Sequence, residues 1–221
     1  MEHVRAGLDR ALHVLRPRPR SPSERAALLT SDALACKRDL VRRGLGERYH
    51  DARLEMVAPE EARSAIGGYL EHLAEHVKAG RGLLFTGPVD TGKTCALALV
   101  LLRACEIGLG AKFVYAPDLY SALIGRDDES RSVVDSCRYV QLLCIDDFGA
   151  AYPGEFPSSQ FEGLCEYRQA RIKATCVTTN RAPAELAKDV LTQRAIDRWR
   201  ATCWAVEMPG ESRRQRLDGT P

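Results

Sequence analysis

Apolar residues in this chain come in short blocks separated by longer amphipathic stretches. The blocks at Gly82 to Thr86, Lys112 to Ala116, Val140 to Ile145 and Ala174 to Thr178 are five or six residues long, the length of buried strands. Between them lie helix-prone stretches such as Cys95-Ala96-Leu97-Ala98-Leu99-Val100-Leu101-Leu102. Strand and helix in alternation predict an α/β fold, a parallel sheet with helices on both faces. Upstream, Pro59-Glu60-Glu61 opens a helix with Ile66, Tyr69, Leu70 and Leu73 at mixed three- and four-residue spacing. An earlier helix is expected after Ser23, through Ala26, Leu28 and Leu29 to about Val41, where Gly44 and Gly46 interrupt it. The Pro-rich run from Arg16 to Ser23 cannot be helical throughout and reads as a linker.

The first block leads directly into chemistry. Gly87-Pro88-Val89-Asp90-Thr91-Gly92-Lys93-Thr94 fits G-x-x-x-x-G-K-[ST] between a predicted strand and a predicted helix, the context that makes the pattern a phosphate-binding loop. A triphosphate needs backbone N–H groups, a cation and a metal ligand close together. The loop amides and the helix N-terminus, reached at Cys95, supply the first, Lys93 the second, and Thr94 is the expected ligand of Mg²⁺. A second motif ends a later block. Leu142-Leu143-Cys144-Ile145-Asp146-Asp147 puts two carboxylates at the edge of the sheet where nucleotides bind. Asp146 is expected to support Mg²⁺ and Asp147 to polarise the attacking water as general base.

Composition narrows the class. The 221 residues are 45% hydrophobic and 28% charged, enough for one α/β domain with a modest extra segment. No run approaches the roughly 18 apolar residues of a membrane span, and arginines interrupt the N-terminal stretch, so a cytoplasmic protein with no membrane partner is expected. The eight cysteines are scattered without C-x-x-C and read as buried free thiols. The net charge of +2 is unevenly spread: residues 1–50 hold 11 Lys plus Arg against 6 Asp plus Glu, a net of +5 that leaves −3 for the rest. A basic leader suits nucleic acid or an acidic partner face. Arg213-Arg214-Gln215-Arg216 forms a second basic cluster.

From about Leu45 to Arg216 the chain resembles the AAA+ ATPases of the DnaC-type helicase loader and IstB-type transposition helper group. The resemblance lies in the segment Leu45 to Glu55, in Lys112 to Tyr120 as second strand and helix, and in Asp146-Asp147-Phe148-Gly149 as the Walker B end. It implies an AAA+ type P-loop sheet sandwiched by helices over 58–221, with residues 1–57 as a basic helical arm and linker. It also implies that Asn180, ending Ala174 to Thr179, senses the γ-phosphate. In Arg194-Ala195-Ile196-Asp197-Arg198, Arg198, or failing that Arg194, would reach a neighbouring subunit as an arginine finger, a planar cation suited to phosphoryl transfer. Gly210 to Arg214 resembles the group's C-terminal signature, with Arg214 or Arg213 at the nucleotide.

Two positions depart from that group. Asp90 stands where the loop usually has Gly, so a side chain must take a positive φ and bring a carboxylate near phosphate. Asp147 is one methylene shorter than the usual Glu, which implies slow hydrolysis, sufficient for a switch. The function implied is a DNA-replication accessory ATPase using ATP and Mg²⁺. It would work as a homo-oligomer on single-stranded DNA with a replicative helicase, Lys112, Tyr120, Arg126 and Arg131 lining the strand. The alternative is a transposition helper on duplex DNA with a transposase as partner.

Overall fold

The computed structural model describes residues 39–57, 60–150, 157–182, 185–186 and 193–210, with the backbone alone for 193–195. The Pro-rich linker, most of the first expected helix and the tail cluster with Arg213 and Arg214 lie outside the described residues.

The helix opened by Glu60 and Glu61 spans Glu60–Glu71 (α1), its two acids in the first turn where the helix dipole favours them. It buries Ala62, Ile66 and Tyr69. The single helix expected through Leu73 breaks at His72, and a short helix α2 follows at Leu73–Lys78. Strand β1 (Gly82–Thr86) then enters the core. Helix α3 (Lys93–Glu106) buries Ala96, Leu97, Ala98, Val100, Leu101 and Ala104, as its nearly unbroken apolar sequence requires. Strand β2 (Ala111–Tyr115) and helix α4 (Ala116–Ile124) come next. Helix α5 (Asp128–Tyr139) starts where the Asp127 carboxylate accepts from the Ser130 N–H at 2.8 Å, an N-cap.

Strand β3 covers Leu142–Phe148, two residues later at its start and three later at its end than the apolar block suggests. Val140 caps α5 instead, and the carboxylates Asp146 and Asp147 lie within the strand rather than after it. Helix α6 (Ser158–Ala170), strand β4 (Ala174–Thr179), helix α7 (Gln193–Thr202) and strand β5 (Cys203–Glu207) complete the described elements. The five strands are all parallel in the order β2-β3-β4-β1-β5 and are flanked by the helices, the α/β architecture read from the sequence. Strand β5 was not anticipated; at an edge with Trp204, Ala205 and Glu207 exposed, it lacks an apolar run.

Residues 39–57 pack on this domain. The Phe113 N–H donates to Arg43 O at 2.7 Å, and the Arg43 guanidinium donates to Leu109 O at 2.6 Å. Among the described residues no helix is long and apolar enough to cross a membrane. The described cysteines are free thiols, with Cys137, Cys144, Cys176 and Cys203 buried.

One buried cation ties three elements together. Arg168 on α6 is 2% exposed and donates to Thr175 Oγ1 at 2.9 Å, Cys137 O at 2.6 Å, Val140 O at 3.1 Å and Ala174 O. Burial draws its pKa down to about 10, so it remains charged at neutral pH. Three of its acceptors are carbonyls at the end of α5 and the start of β4, where a helix end needs partners from outside the helix. Arg168→Met is expected to lower the unfolding free energy by about 3 kcal/mol, measured by urea denaturation; a loss within experimental error would show these bonds to be dispensable.

Candidate nucleotide site

Strand β1 delivers the chain to the phosphate loop at Gly87, whose φ of 141° carries it past Met208. A Cβ at Gly87 would lie 2.3 Å from Met208 O, so only glycine fits. Gly92 (φ 93°) caps α3 and backs onto Met56 O, 2.8 Å from where its Cβ would be. Between them Asp90 takes φ 66°, the left-handed conformation its place in the loop demands. Val89 is exposed at the loop tip, and Thr91 Oγ1 ties the loop by donating to Pro88 O at 3.0 Å.

Lys93, the first residue of α3, is 7% exposed and folds over the loop, donating to Gly87 O at 2.9 Å and to Pro88 O. Burial lowers its pKa, while the carboxylates of Asp147, Asp146 and Asp90 oppose that shift. Next to it Thr94 Oγ1 lies 3.2 and 3.1 Å from the two oxygens of Asp146. Thr178 on β4 donates to Asp146 Oδ1 at 2.7 Å and accepts from the Asp147 N–H at 2.8 Å. Burial raises the Asp146 carboxyl above the ordinary range; the hydrogen bonds from Thr178 and Thr94 pull the other way. A hydroxyl and a carboxylate oxygen side by side are the donors a hard divalent cation takes. Thr94 and Asp146 therefore fit Mg²⁺.

Asp147 has φ 56° and sits at the register shift between β3 and β4. Its Oδ1 accepts from Asn180 Nδ2 at 2.9 Å and its Oδ2 from the Tyr115 hydroxyl at 3.3 Å. The turned backbone and the two donors fix its carboxylate in the same cleft as Lys93. That cleft, about 470 Å³, is lined by Lys93, Thr94, Cys95, Asp146, Asp147, Thr178 and Asn180, with Arg48, Tyr49, Met56 and Tyr115 at its sides.

The structure thus gathers Lys93, Thr94, Cys95, Asp146, Asp147 and Asn180 around one cavity. Sheet order explains this: β4 lies between β1 and β3, so Asn180 ends up between the loop and the acids. Arg198 stands elsewhere, on α7, with its guanidinium 3.5 Å from Glu166 of α6. The side chain of Arg194, and Arg214 entirely, lie outside the described residues. Tyr120 is a correction to the DNA-contact set: it is fully buried, its hydroxyl accepting from Gly149 N at 3.1 Å. Arg131 is paired with Asp128 at 2.8 Å. Thr178, Tyr115 and the pair Arg48-Tyr49 went unread in the sequence; the signal for Tyr115 was its place at the end of a strand, beside the acids.

Solved structures share this architecture. The DnaI crystal structure is 23% identical over 77% of this chain and 95% of that one, with a TM-score of 0.64. The DnaC helicase loader is 22% identical over 74% of this chain and 99% of its own, with a TM-score of 0.61. The fold is theirs. AMPPCP-bound DnaA from Aquifex aeolicus matches 71% of this chain but half of its own, at 22% identity and a TM-score of 0.58. The parallel sheet sandwiched by helices that the resemblance implied is therefore the fold observed. No protein-family model matches the chain, and no curated protein matches it in sequence.

Three outcomes test the site. Lys93→Ala should abolish ATP binding measured by calorimetry, and an unchanged affinity would remove the loop from the assignment. Metal binding needs Asp146 ionised and its carboxyl is raised, so Mg²⁺-dependent ATP binding should weaken on acidification sooner than an ordinary aspartate would allow. Thr178→Val deletes a donor that favours the charged form, so this acid limb should move to higher pH; a limb left in place would show that Thr178 does not tune Asp146.

Proposed function

We propose that the protein is an Mg²⁺-dependent ATPase of DNA replication, acting in the cytoplasm as a helicase-loader-like switch. The observation that carries this is the continuous hydrogen-bonded set Thr94–Asp146–Thr178–Asp147–Asn180 facing Lys93 across one cleft. Lys93 and the loop amides hold the β- and γ-phosphates of ATP, and Thr94 with Asp146 would hold a Mg²⁺ ion that would neutralise phosphate charge. Asp147, oriented by Asn180 and Tyr115, takes the proton of the attacking water.

Support for the replication role comes from the likeness to DnaI and to a protein described as the DnaC helicase loader, each matched over nearly its whole length. A further similar structure, 20% identical with a TM-score of 0.63, is described as a primosome component from Streptococcus pyogenes. The basic segment of residues 1–57 engages a replicative helicase, its stretch 39–57 packing on the ATPase domain of residues 58–221. The domain assembles with further copies on single-stranded DNA, with Arg198 of one subunit, or its Arg194, completing the site of the next. Arg214 closes on the nucleotide.

Phosphate release from Mg-ATP should rise when single-stranded DNA is added. Asp147→Asn should lower that release about 100-fold or more while leaving ATP affinity nearly unchanged. Stimulation by duplex DNA alone would instead favour a transposition helper, and no stimulation by either would reduce the nucleotide to a structural ligand.

A further inference from the structure

The nucleotide cavity carries a net charge of the same sign as its ligand. Two cations line it, Arg48 and Lys93, against three carboxylates, Asp90, Asp146 and Asp147, a net of −1. A triphosphate adds several more negative charges. Two of the acids occupy places that the reaction uses: Asp146 stands beside Thr94 as a metal ligand, and Asp147 is held by Asn180 and Tyr115 towards the attacking water. The third, Asp90, lies in the phosphate loop itself, between the exposed Val89 and the buried Thr91.

The turn of the loop accounts for the backbone of Asp90 but not for its charge. At φ 66° the chain is in the left-handed region, where glycine is free of strain and asparagine is accommodated as readily as aspartate. Either residue would turn the loop without bringing a carboxylate to it. The loop therefore holds a negative charge that its shape does not require, inside a site for a polyanion.

That charge acts where phosphate is gripped. Lys93 folds over the same loop, donating to Gly87 O at 2.9 Å and to Pro88 O. Burial lowers its pKa and the carboxylates of Asp147, Asp146 and Asp90 oppose the shift, so all three are felt at the ammonium group. A phosphate drawn to Lys93 enters the field of the same acids. Asp90 is half-buried rather than out in solvent, and repulsion from it is only partly screened. Repulsion grows with the charge of the ligand. The terminal phosphate of ATP adds charge that ADP lacks, in the region that Lys93 serves.

We infer that Asp90 sets the nucleotide selectivity of this site: its carboxylate disfavours the triphosphate relative to the diphosphate and makes tight ATP binding depend on Mg²⁺. The inference rests on the ATP-binding reading proposed above and concerns which nucleotide state the site retains. A chain on its own then holds the diphosphate better. The triphosphate state is the one that an added cation favours, either the metal or an arginine from a neighbouring copy.

Calorimetric titration of the full chain with ATP and with ADP, each in Mg²⁺ and each in EDTA, tests this. Asp90→Asn keeps the left-handed turn and removes the charge. It should tighten Mg-ATP binding about tenfold and Mg-ADP binding about threefold, so that the ratio of the two affinities moves towards ATP. In EDTA the gain for ATP should be larger, because no metal offsets the carboxylate. Asp90→Gly, which also relieves the backbone, should give the same ratio. A residue that only shapes the loop changes both affinities together and leaves their ratio alone. A wild-type ratio in Asp90→Asn, or a shift towards ADP, would overturn the selectivity and leave nucleotide binding standing. A wild-type chain that binds neither ATP nor ADP in Mg²⁺ would overturn both.

Discussion

Asp146 is the group on which the rest of the nucleotide end depends. It is a carboxylate taken almost wholly out of water, and removing a charge from water is costly unless hydrogen bonds replace the solvent. Those bonds come from two different elements, Thr94 on α3 and Thr178 on β4. The helix that carries the phosphate loop and the strand that carries Asn180 are thereby referenced to the same two oxygens. Because Thr178 also accepts the Asp147 N–H, the position of the second acid follows from that of the first. A divalent cation at Asp146 and Thr94 would relieve the burial penalty and tighten the same network, so metal binding and site geometry are physically coupled.

Backbone strain is concentrated at a few positions. Among the described residues, only Asp90, Asp147 and Ile172 combine a side chain with positive φ. Asp90 turns the phosphate loop, and Asp147 aims its carboxylate between Asn180 and Tyr115. Strained residues of this sort persist only where their surroundings over-determine them. For Asp147 the surroundings are two hydrogen bonds and a register shift between β3 and β4. For Ile172 they are the helix-closing bonds and Gly80, which has no side chain to collide with it. The two ends of the sheet thus carry the same local device, a side chain held at positive φ.

Much of this was legible in the sequence, and unevenly so for physical reasons. The phosphate loop and the paired acids could be read because their chemistry fixes residue types at fixed spacing. Strand β1 could be located because burial on both faces leaves an apolar run. Strand β5 could not, since an edge strand needs no such run. Thr178 was hidden for a different reason: a threonine in a strand is ordinary, and its role exists only because β4 inserts between β1 and β3. Tyr120 misled because a tyrosine's hydroxyl suits a surface, whereas α4 turns it inward onto Phe148 and Gly149.

Sheet order also bears on how the two ends communicate. Strand β4 begins at Ala174, two residues after Ile172, and ends at Thr179, beside Asn180. It is six residues long and holds Thr178 against Asp146. Its first carbonyl and Thr175 are clamped by Arg168. A displacement of the α6 to β4 turn must either be absorbed by that clamp or pass along a strand paired on both sides by β1 and β3. A strand hydrogen-bonded on both edges does not bend independently of its neighbours, so the second path moves Thr178 and Asn180 together relative to α3. The same strand therefore gives the α6 to β4 turn at one end of the sheet a mechanical connection to the acids at the other.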